Sequence, residues 1–396
     1  MDPVLNPYNP GAGRRPRALV GRDGELELMD TLIARTSRGM DGRGVILTGL
    51  RGVGKTVLLH AMADRAEAAE WFTVRLEARR SVSETFEFQL ARALRDAYRA
   101  SSWRHNLTDR ARAAFGTIQS FTAKVDTSGG ISASIEFAPH HGRADSSDFE
   151  TNLLDVAIDL TDAATERRVG VALFIDELQD APTPILQALT HAVHQAGQTA
   201  RPFYVIGAGL PSVIRLLSEA TSYAERLYDY RPISQLSTGD SGEVLEAPAR
   251  TENVTWDPEA VSLLVSESAG YPYFLQEFGS AAWDIAARPD AISRSDALAA
   301  VNAGRRALDD GFFRARWDRA TKAERNYLIA MSSDGAGPSF TGEIASRLGK
   351  EPSQLGPARA NLISKGLIYA PEHGQISYTV PGMADFIRRQ VDSCVP

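Results

Sequence analysis

The chain has 396 residues, 43% of them apolar and 23% charged, with a formal net charge of −7. That length exceeds one ordinary core, so two or three domains are expected, and the acidic balance speaks against binding polyanions over the whole surface while leaving room for a local basic face. No apolar run approaches the ~18 residues of a membrane span, the first ten residues lack a secretory leader's basic and apolar regions, and the single cysteine, Cys394, cannot close an internal disulfide, which fits a reducing, cytoplasmic setting.

In chain order, residues 1–18 are rich in Pro, Gly and Arg and read as an arm laid on the surface. Gly21-Arg22-Asp23-Gly24-Glu25 then leads into an amphipathic helix carrying Leu26, Leu28, Met29, Leu32 and Ile33. Gly44–Thr48 is a short apolar run of buried-strand type. It feeds Gly49-Leu50-Arg51-Gly52-Val53-Gly54-Lys55-Thr56, a complete G-x-x-x-x-G-K-T loop, and Val57 to Arg65 continue as a helix. Small residues let such a loop curl so that successive amides, from Gly49 through Val57, face a phosphate, and the helix N-terminus adds partial positive charge. Lys55 is placed to reach the β- and γ-phosphates, and Thr56 to give its hydroxyl to Mg²⁺. ATP or ADP with Mg²⁺ is the expected ligand.

Trp71–Leu76 reads as a second strand, and 83–100 as a helix with Phe86, Leu90, Leu94 and Tyr98 in register. Residues 101–150 break the pattern and read as an insertion. Within it Phe121–Val125 and Ile131–Phe137 alternate around Asp126–Gly130, a hairpin signal. His140-His141 is either a fragment of a metal site or a solvated pair. After a helix at 151–166, the run Val171–Ile175 ends in Asp176-Glu177, which puts two carboxylates at the end of a strand where α/β sheets bind ligands. Asp176 is expected to hold Mg²⁺ through a water, and Glu177 to orient or deprotonate the water that attacks the γ-phosphate. A helix at 184–197 and strands at 203–207 and 228–233 complete the alternation, so residues 19–235 are expected to form a parallel sheet covered on both faces.

Residues 236–308 read as wholly helical, a lid. Gly311–Arg319, in the linker 309–319, mixes aromatics with arginines, either to bind nucleic acid or to pack a hinge against both neighbours. Residues 320–396 read as three helices and a hairpin. Thr321 and Glu324 have capping-box spacing. The third helix, Ser353–Lys365, turns Leu355, Ala358 and Leu362 inward and Gln354, Arg359, Asn361 and Lys365 outward. Eight bases against seven acids make this unit far less basic than a dedicated phosphate-tracking domain, although 352–371 has two bases and no acid.

On these motifs the chain resembles the AAA+ and STAND branches of the P-loop ATPases, particularly the origin-recognition-like and archaeal-ATPase-like groups. Val20–Leu26 resembles their "GR-x-x-E-L" motif, which implies that Gly21 and Arg22 lie near the adenine. Gly49–Thr56 and Ile175–Gln179 match the two Walker motifs, and Gly270-Tyr271-Pro272-Tyr273 resembles the G-x-P turn of STAND lids, which brings Pro272 to the nucleotide. Arg226, just before the fifth strand, stands where such proteins often keep an arginine finger; an ordinary surface arginine is the other reading. The resemblance implies an α/β P-loop NTPase sheet with an all-helical lid and a C-terminal winged-helix domain. It further implies an ATPase acting as a nucleotide-dependent switch, a possible nucleotide-dependent homo-oligomer, and duplex DNA as partner of the third C-terminal helix; the alternative is a STAND-like signalling or assembly ATPase whose winged helix makes protein or autoinhibitory contacts and does not bind DNA. Two departures imply slow turnover: the fourth strand ends in Gly207-Ala208-Gly209 instead of a polar sensor-1 residue, and the lid turn carries no sensor-2 arginine.

Overall fold

The computed structural model describes residues 1–79, 84–105, 109–129 and 148–392. Its centre is a five-stranded parallel sheet of order β2-β3-β4-β1-β5, built from β1 (Gly44–Thr48), β2 (Phe72–Glu77), β3 (Val171–Asp176), β4 (Phe203–Gly209) and β5 (Tyr228–Pro232). The side-chain period of two sorts each strand between the faces. Val45, Leu47, Phe174 and Ile206 pack under α1 (Asp23–Ser37) and α2 (Lys55–Ala68). Ile46, Leu173, Ile175 and Val205 face a second core, covered by α3 (Phe86–Ala100), α4 (Asp109–Gly129), α5 (Phe149–Arg167), α6 (Thr183–Gln198) and α7 (Ser212–Ala220). A short α8 (Ala224–Leu227) leads into β5. This is the doubly covered α/β fold expected from the alternation of strands and helices.

The hairpin does not form where its first arm was expected. Residues 121–129 are the last turns of α4, while the second arm at 131–137 and His140-His141 lie outside the described residues, as does Cys394. The physical reason is a longer stripe than the local alternation. Ala111, Ala114, Phe115, Ile118 and Phe121 recur at helical spacing and all enter the core shared with α3 and α5.

The lid comprises α9 (Thr238–Thr251), α10 (Pro258–Ser268), α11 (Pro272–Ile285) and α12 (Arg294–Ala307), with β6 (Thr255–Trp256) and β7 (Ala291–Ile292) forming a small parallel pair that the helical reading lacked. One turn of π-helix, Leu308–Phe313, and α13 (Arg314–Trp317) bridge to the C-terminal unit. That unit holds α14 (Lys322–Ser332), β8 (Ser339–Phe340), α15 (Thr341–Arg347), α16 (Pro352–Ser364), β9 (Ile368–Tyr369), β10 (Gln375–Tyr378) and α17 (Met383–Asp392). Its sheet has three strands, β8-β10-β9. The sequence reading had neither β8 nor α17, although Met383, Ala384, Phe386 and Ile387 form a buried helical stripe.

Lid and C-terminal unit share one continuous core. The bridge makes it continuous: Phe313 stacks on Phe386 with ring centres 5.3 Å apart, and Phe312 stacks on Tyr273 at 4.7 Å. Each such pair is worth about 0.5–1.5 kcal/mol beyond the area it buries. The aromatics of 311–319 thus sit against both neighbours.

The N-terminal arm is more than a surface strand. Tyr8 is buried in the lid, its hydroxyl donating to the Leu245 carbonyl and accepting from Trp256 Nε1 (3.0 Å). Asn6 donates to Ser280 and Asp284, and Trp283 Nε1 donates to the Asp2 carbonyl.

Candidate nucleotide site

The G-x-x-x-x-G-K-T loop joins β1 to α2 at the C-terminal end of the sheet. Gly52 and Gly54 have φ of +88° and +93°, a region L side chains avoid, and this is what curls the loop ahead of α2. Gly49 N–H continues the β1–β4 ladder to the Gly209 carbonyl (3.1 Å). Lys55, 8% exposed, folds back so that Nζ donates to the Leu50 carbonyl (2.8 Å).

Opposite it, β3 delivers the acids. Thr56 Oγ1 donates to Asp176 Oδ2 at 2.6 Å, and Glu177 N–H donates to Asp176 Oδ1 at 2.9 Å. Burial pushes the Asp176 carboxyl above its ordinary range, although the Thr56 and Glu177 donors pull the other way. A divalent cation would offset that buried charge, and a hydroxyl beside a carboxylate is the oxygen donor pair Mg²⁺ takes when phosphates supply other positions. Thr56 and Asp176 therefore fit the ion; it would screen phosphate charge there.

Glu177 sits in the left-handed backbone region (φ +49°). Such strain persists only where surrounding structure enforces it. Here the Gln179 amide supplies the constraint: Nε2 donates to Glu177 Oε2, while Oε1 accepts from Leu210 N–H (2.9 Å). Gln179 also explains the glycines that end β4. A Cβ at 207 would stand 2.8 Å from Leu178 Cδ2, and one at 209 would stand 2.7 Å from Gln179 Oε1. The space a sensor-1 side chain would need is filled by Leu178 and Gln179, in the 3-10 turn that follows β3. The sequence reading gave Gln179 no role, because the Leu210 amide it accepts from lies past the end of β4, 31 residues along the chain. Arg51 Nε stands 3.7 Å from Glu177 Oε1 on the opposite side.

These groups open onto a cavity of about 580 Å³. Arg51 to Val57 and Glu177 form one wall, the lid residues Leu236, Val244, Pro272, Tyr273, Gln276 and Glu277 another. Residues 9–14, 16 and 18–20 of the arm form a third, which the sequence reading missed; Tyr8, a lone aromatic among polar residues, was the available signal. Tyr273 N–H donates to the Gly52 carbonyl (3.3 Å), so the lid turn touches the loop directly. Arg22 donates to the carbonyls of Val53 (3.1 Å) and Ser234 (2.6 Å) and lines the cavity. Gly21, at φ +68°, makes the turn that places it there. Arg316, on the bridge, closes the last side.

Several expected contacts are absent or otherwise engaged. Arg226 is exposed at the end of α8, before the start of β5, whereas the loop follows the far end of β1. It does not line the cavity, so it has no catalytic contact within its own chain. On α16, Gln354 and Asn361 are exposed and Arg359 is half-buried. Lys365 corrects the outward assignment: Nζ donates to the buried Glu324 (2.6 Å) and to the Arg319 carbonyl (2.9 Å). The charge needed to hold that inner carboxylate draws it away from solvent. Among the described residues no cluster of three or more His, Cys, Asp or Glu could hold a metal ion, and no helix is long and apolar enough to cross a membrane.

Burial lowers the Lys55 ammonium to about 8, against the pull of Glu177 and Asp176, with Arg51 adding to the lowering. A bound polyphosphate favours the charged form and so raises this pKa. Below pH 8 the ammonium is already charged and affinity is flat; above it each binding event takes up a proton, and affinity should fall by up to about tenfold per pH unit. Calorimetric titration of ADP at pH 7 and pH 9 measures this, and equal affinities would remove Lys55 as the titrating group.

Residues 18–206 match the AAA ATPase domain family, and residues 310–387 match a domain of unknown function (DUF8462). No curated protein matches the chain. Among solved structures, the Walker-type ATPase PABY2304 of Pyrococcus abyssi superposes with a TM-score of 0.59 at 17% identity, over 97% of this chain and 99% of that one. The Thermotoga maritima RuvB Holliday junction branch migration motor gives 0.45 at 16% identity, over 96% and 99%. The Aeropyrum pernix ORC1 protein in complex with DNA gives 0.44 at 16%, over 96% and 94%. The parallel sheet and the loop are those of a P-loop fold, and the family match falls on residues 18–206 of it.

Proposed function

We propose, from the premise that the first half of this chain is an AAA-type P-loop nucleotide-binding domain, that the protein binds Mg²⁺–ATP between sheet and lid. It hydrolyses ATP slowly and uses the bound state to set the position of its C-terminal unit, a winged helix. The observation that carries the ATPase reading is the contact between Thr56 and Asp176 with Glu177 alongside, all facing the Lys55 loop. In this reading Lys55 and the amides of Gly52 to Val57 hold the phosphates, and Glu177, aimed by Gln179, orients the attacking water. The slow rate follows from the glycine-ended β4 and from a finger, Arg226, that could serve only a neighbouring copy in a nucleotide-dependent homo-oligomer.

Control of the C-terminal unit is supported by where it rests. Arg51, inside the phosphate loop, donates its N–H to the Thr379 carbonyl (2.9 Å) and its guanidinium to the Gly366 carbonyl (3.1 Å). A loop that tightens on phosphates therefore pulls on the C-terminal unit. Duplex DNA is the proposed partner, met by the face of α16 that carries Gln354, Arg359 and Asn361. The second reading, an assembly or signalling ATPase whose C-terminal unit makes only protein contacts, is favoured by the same Arg51 contacts and by the engagement of Lys365.

ATP turnover with and without duplex DNA at two salt concentrations, with particle size followed in parallel, separates the readings. Stimulation by DNA with steeply salt-dependent binding supports the first; nucleotide-dependent assembly indifferent to DNA overturns it in favour of the second. Arg359→Ala combined with Asn361→Ala should weaken duplex binding about tenfold or more and leave ATP affinity unchanged. Unaltered DNA affinity in that variant would remove α16 as the contact.

A further inference from the structure

We propose that Arg316, on the bridge between lid and C-terminal unit, recognises the terminal phosphate of the nucleotide, so that a triphosphate engages the bridge and a diphosphate does not. This rests on the ATP reading above and assigns a contact that the lid turn itself lacks.

Arg316 lines the cavity together with Arg51 and Lys55. Its guanidinium lies 4.0 Å from the Phe312 ring centre and donates from one terminal nitrogen to the Phe312 carbonyl; its Nε is buried without a hydrogen-bond partner. Among the described residues no carboxylate pairs with it. Burial, then the neighbouring Arg51 and Arg319, lower it to about 10, the opposite of what a structural ion pair does to an arginine. A half-buried guanidinium set beside like charges, its Nε unpartnered, is stabilised when an anion joins it. Its planar fork suits the oxygens of a phosphate, and an ammonium cannot supply that match.

The backbone explains why Arg316 is there. Arg314 N–H donates to the Asp309 carbonyl, five residues back, so the helix leaving the lid is widened by one residue per turn. Such π-turns rotate the downstream residues relative to a plain α-helix. The side chain is also mechanically close to the phosphate loop. Gly52 bonds Tyr273, Tyr273 stacks on Phe312, and Phe312 carries Arg316; on its other flank Phe312 meets Phe313, which stacks on Phe386 of α17. Recognition at Arg316 therefore reaches the C-terminal unit through packed rings.

The test is the ratio of two affinities. Calorimetry with Mg²⁺ should show that Arg316→Ala weakens AMP-PNP about tenfold or more while ADP changes less than about twofold. Arg316→Lys should recover part of the AMP-PNP loss, and it carries the test if the alanine variant fails to fold. A general loosening of the wall would weaken both nucleotides alike, so equal losses, or none, overturn the proposal. If the unaltered protein binds neither nucleotide, the ATP reading itself fails; if it binds both and the ratio is unmoved in the variants, only Arg316 is displaced from this role.

Discussion

Lys55→Ala is expected to weaken ATP and ADP binding by about a hundredfold or more. Lys55 is 8% exposed and its ammonium bonds to the Leu50 carbonyl in the loop, so the change deletes a buried cation fixed within the phosphate cradle. The variant should still fold. Among the described residues no ion pair is broken, and burial already works against the charged ammonium, so its loss costs little stability. Thermal unfolding separates the two effects. The unliganded midpoint should move little, while the rise produced by millimolar ATP should vanish. A variant that still gains the full ATP-dependent rise would place the nucleotide somewhere other than this loop.

Glu177→Gln is expected to lower ATP turnover about 10²- to 10⁴-fold with ATP affinity preserved within a few-fold. The replacement keeps the size of the side chain and an oxygen that can accept from Gln179, so the strained backbone at 177 retains its partner. What disappears is the carboxylate's ability to take or orient a proton. Asp176 is held beside Thr56 and the Glu177 amide and in this reading serves the Mg²⁺ site, so it does not take over that role. Single-turnover hydrolysis measured beside equilibrium binding gives the answer. Unimpaired turnover would shift attention to Glu277, another carboxyl on the cavity wall, which burial holds above its ordinary range.

The parts legible in the sequence were those whose causes are local. The loop 49–56 and the run 171–177 each contain, in consecutive residues, the strand and the groups it presents. The parts that escaped were long-range. Tyr8 is anchored by Trp256, Arg51 meets Gly366, and Gln179 fills a gap left by Gly209 at the end of β4. None of these pairings leaves a period or a spacing to read. Phe121–Val125 failed for a related reason: a five-residue alternation competed with a helical stripe that began ten residues earlier, and the longer pattern had the larger core to fill. Arg316 was visible only as a basic residue among aromatics, since its aim depends on a π-turn that no residue type announces.

The arm has a mechanical consequence. Its first residues belong to the lid, and the chain then crosses into the sheet domain at Gly21 and returns to the lid at Ser234–Leu236. The two crossings lie side by side, tied to each other and to Val53 by the Arg22 guanidinium. A door hung on a single pin can tilt any way; one hung on two swings about the line between them. Any closure of the lid would accordingly turn about the line through these two crossings, beside the phosphate loop, and would carry with it everything built on the lid core, out to α17.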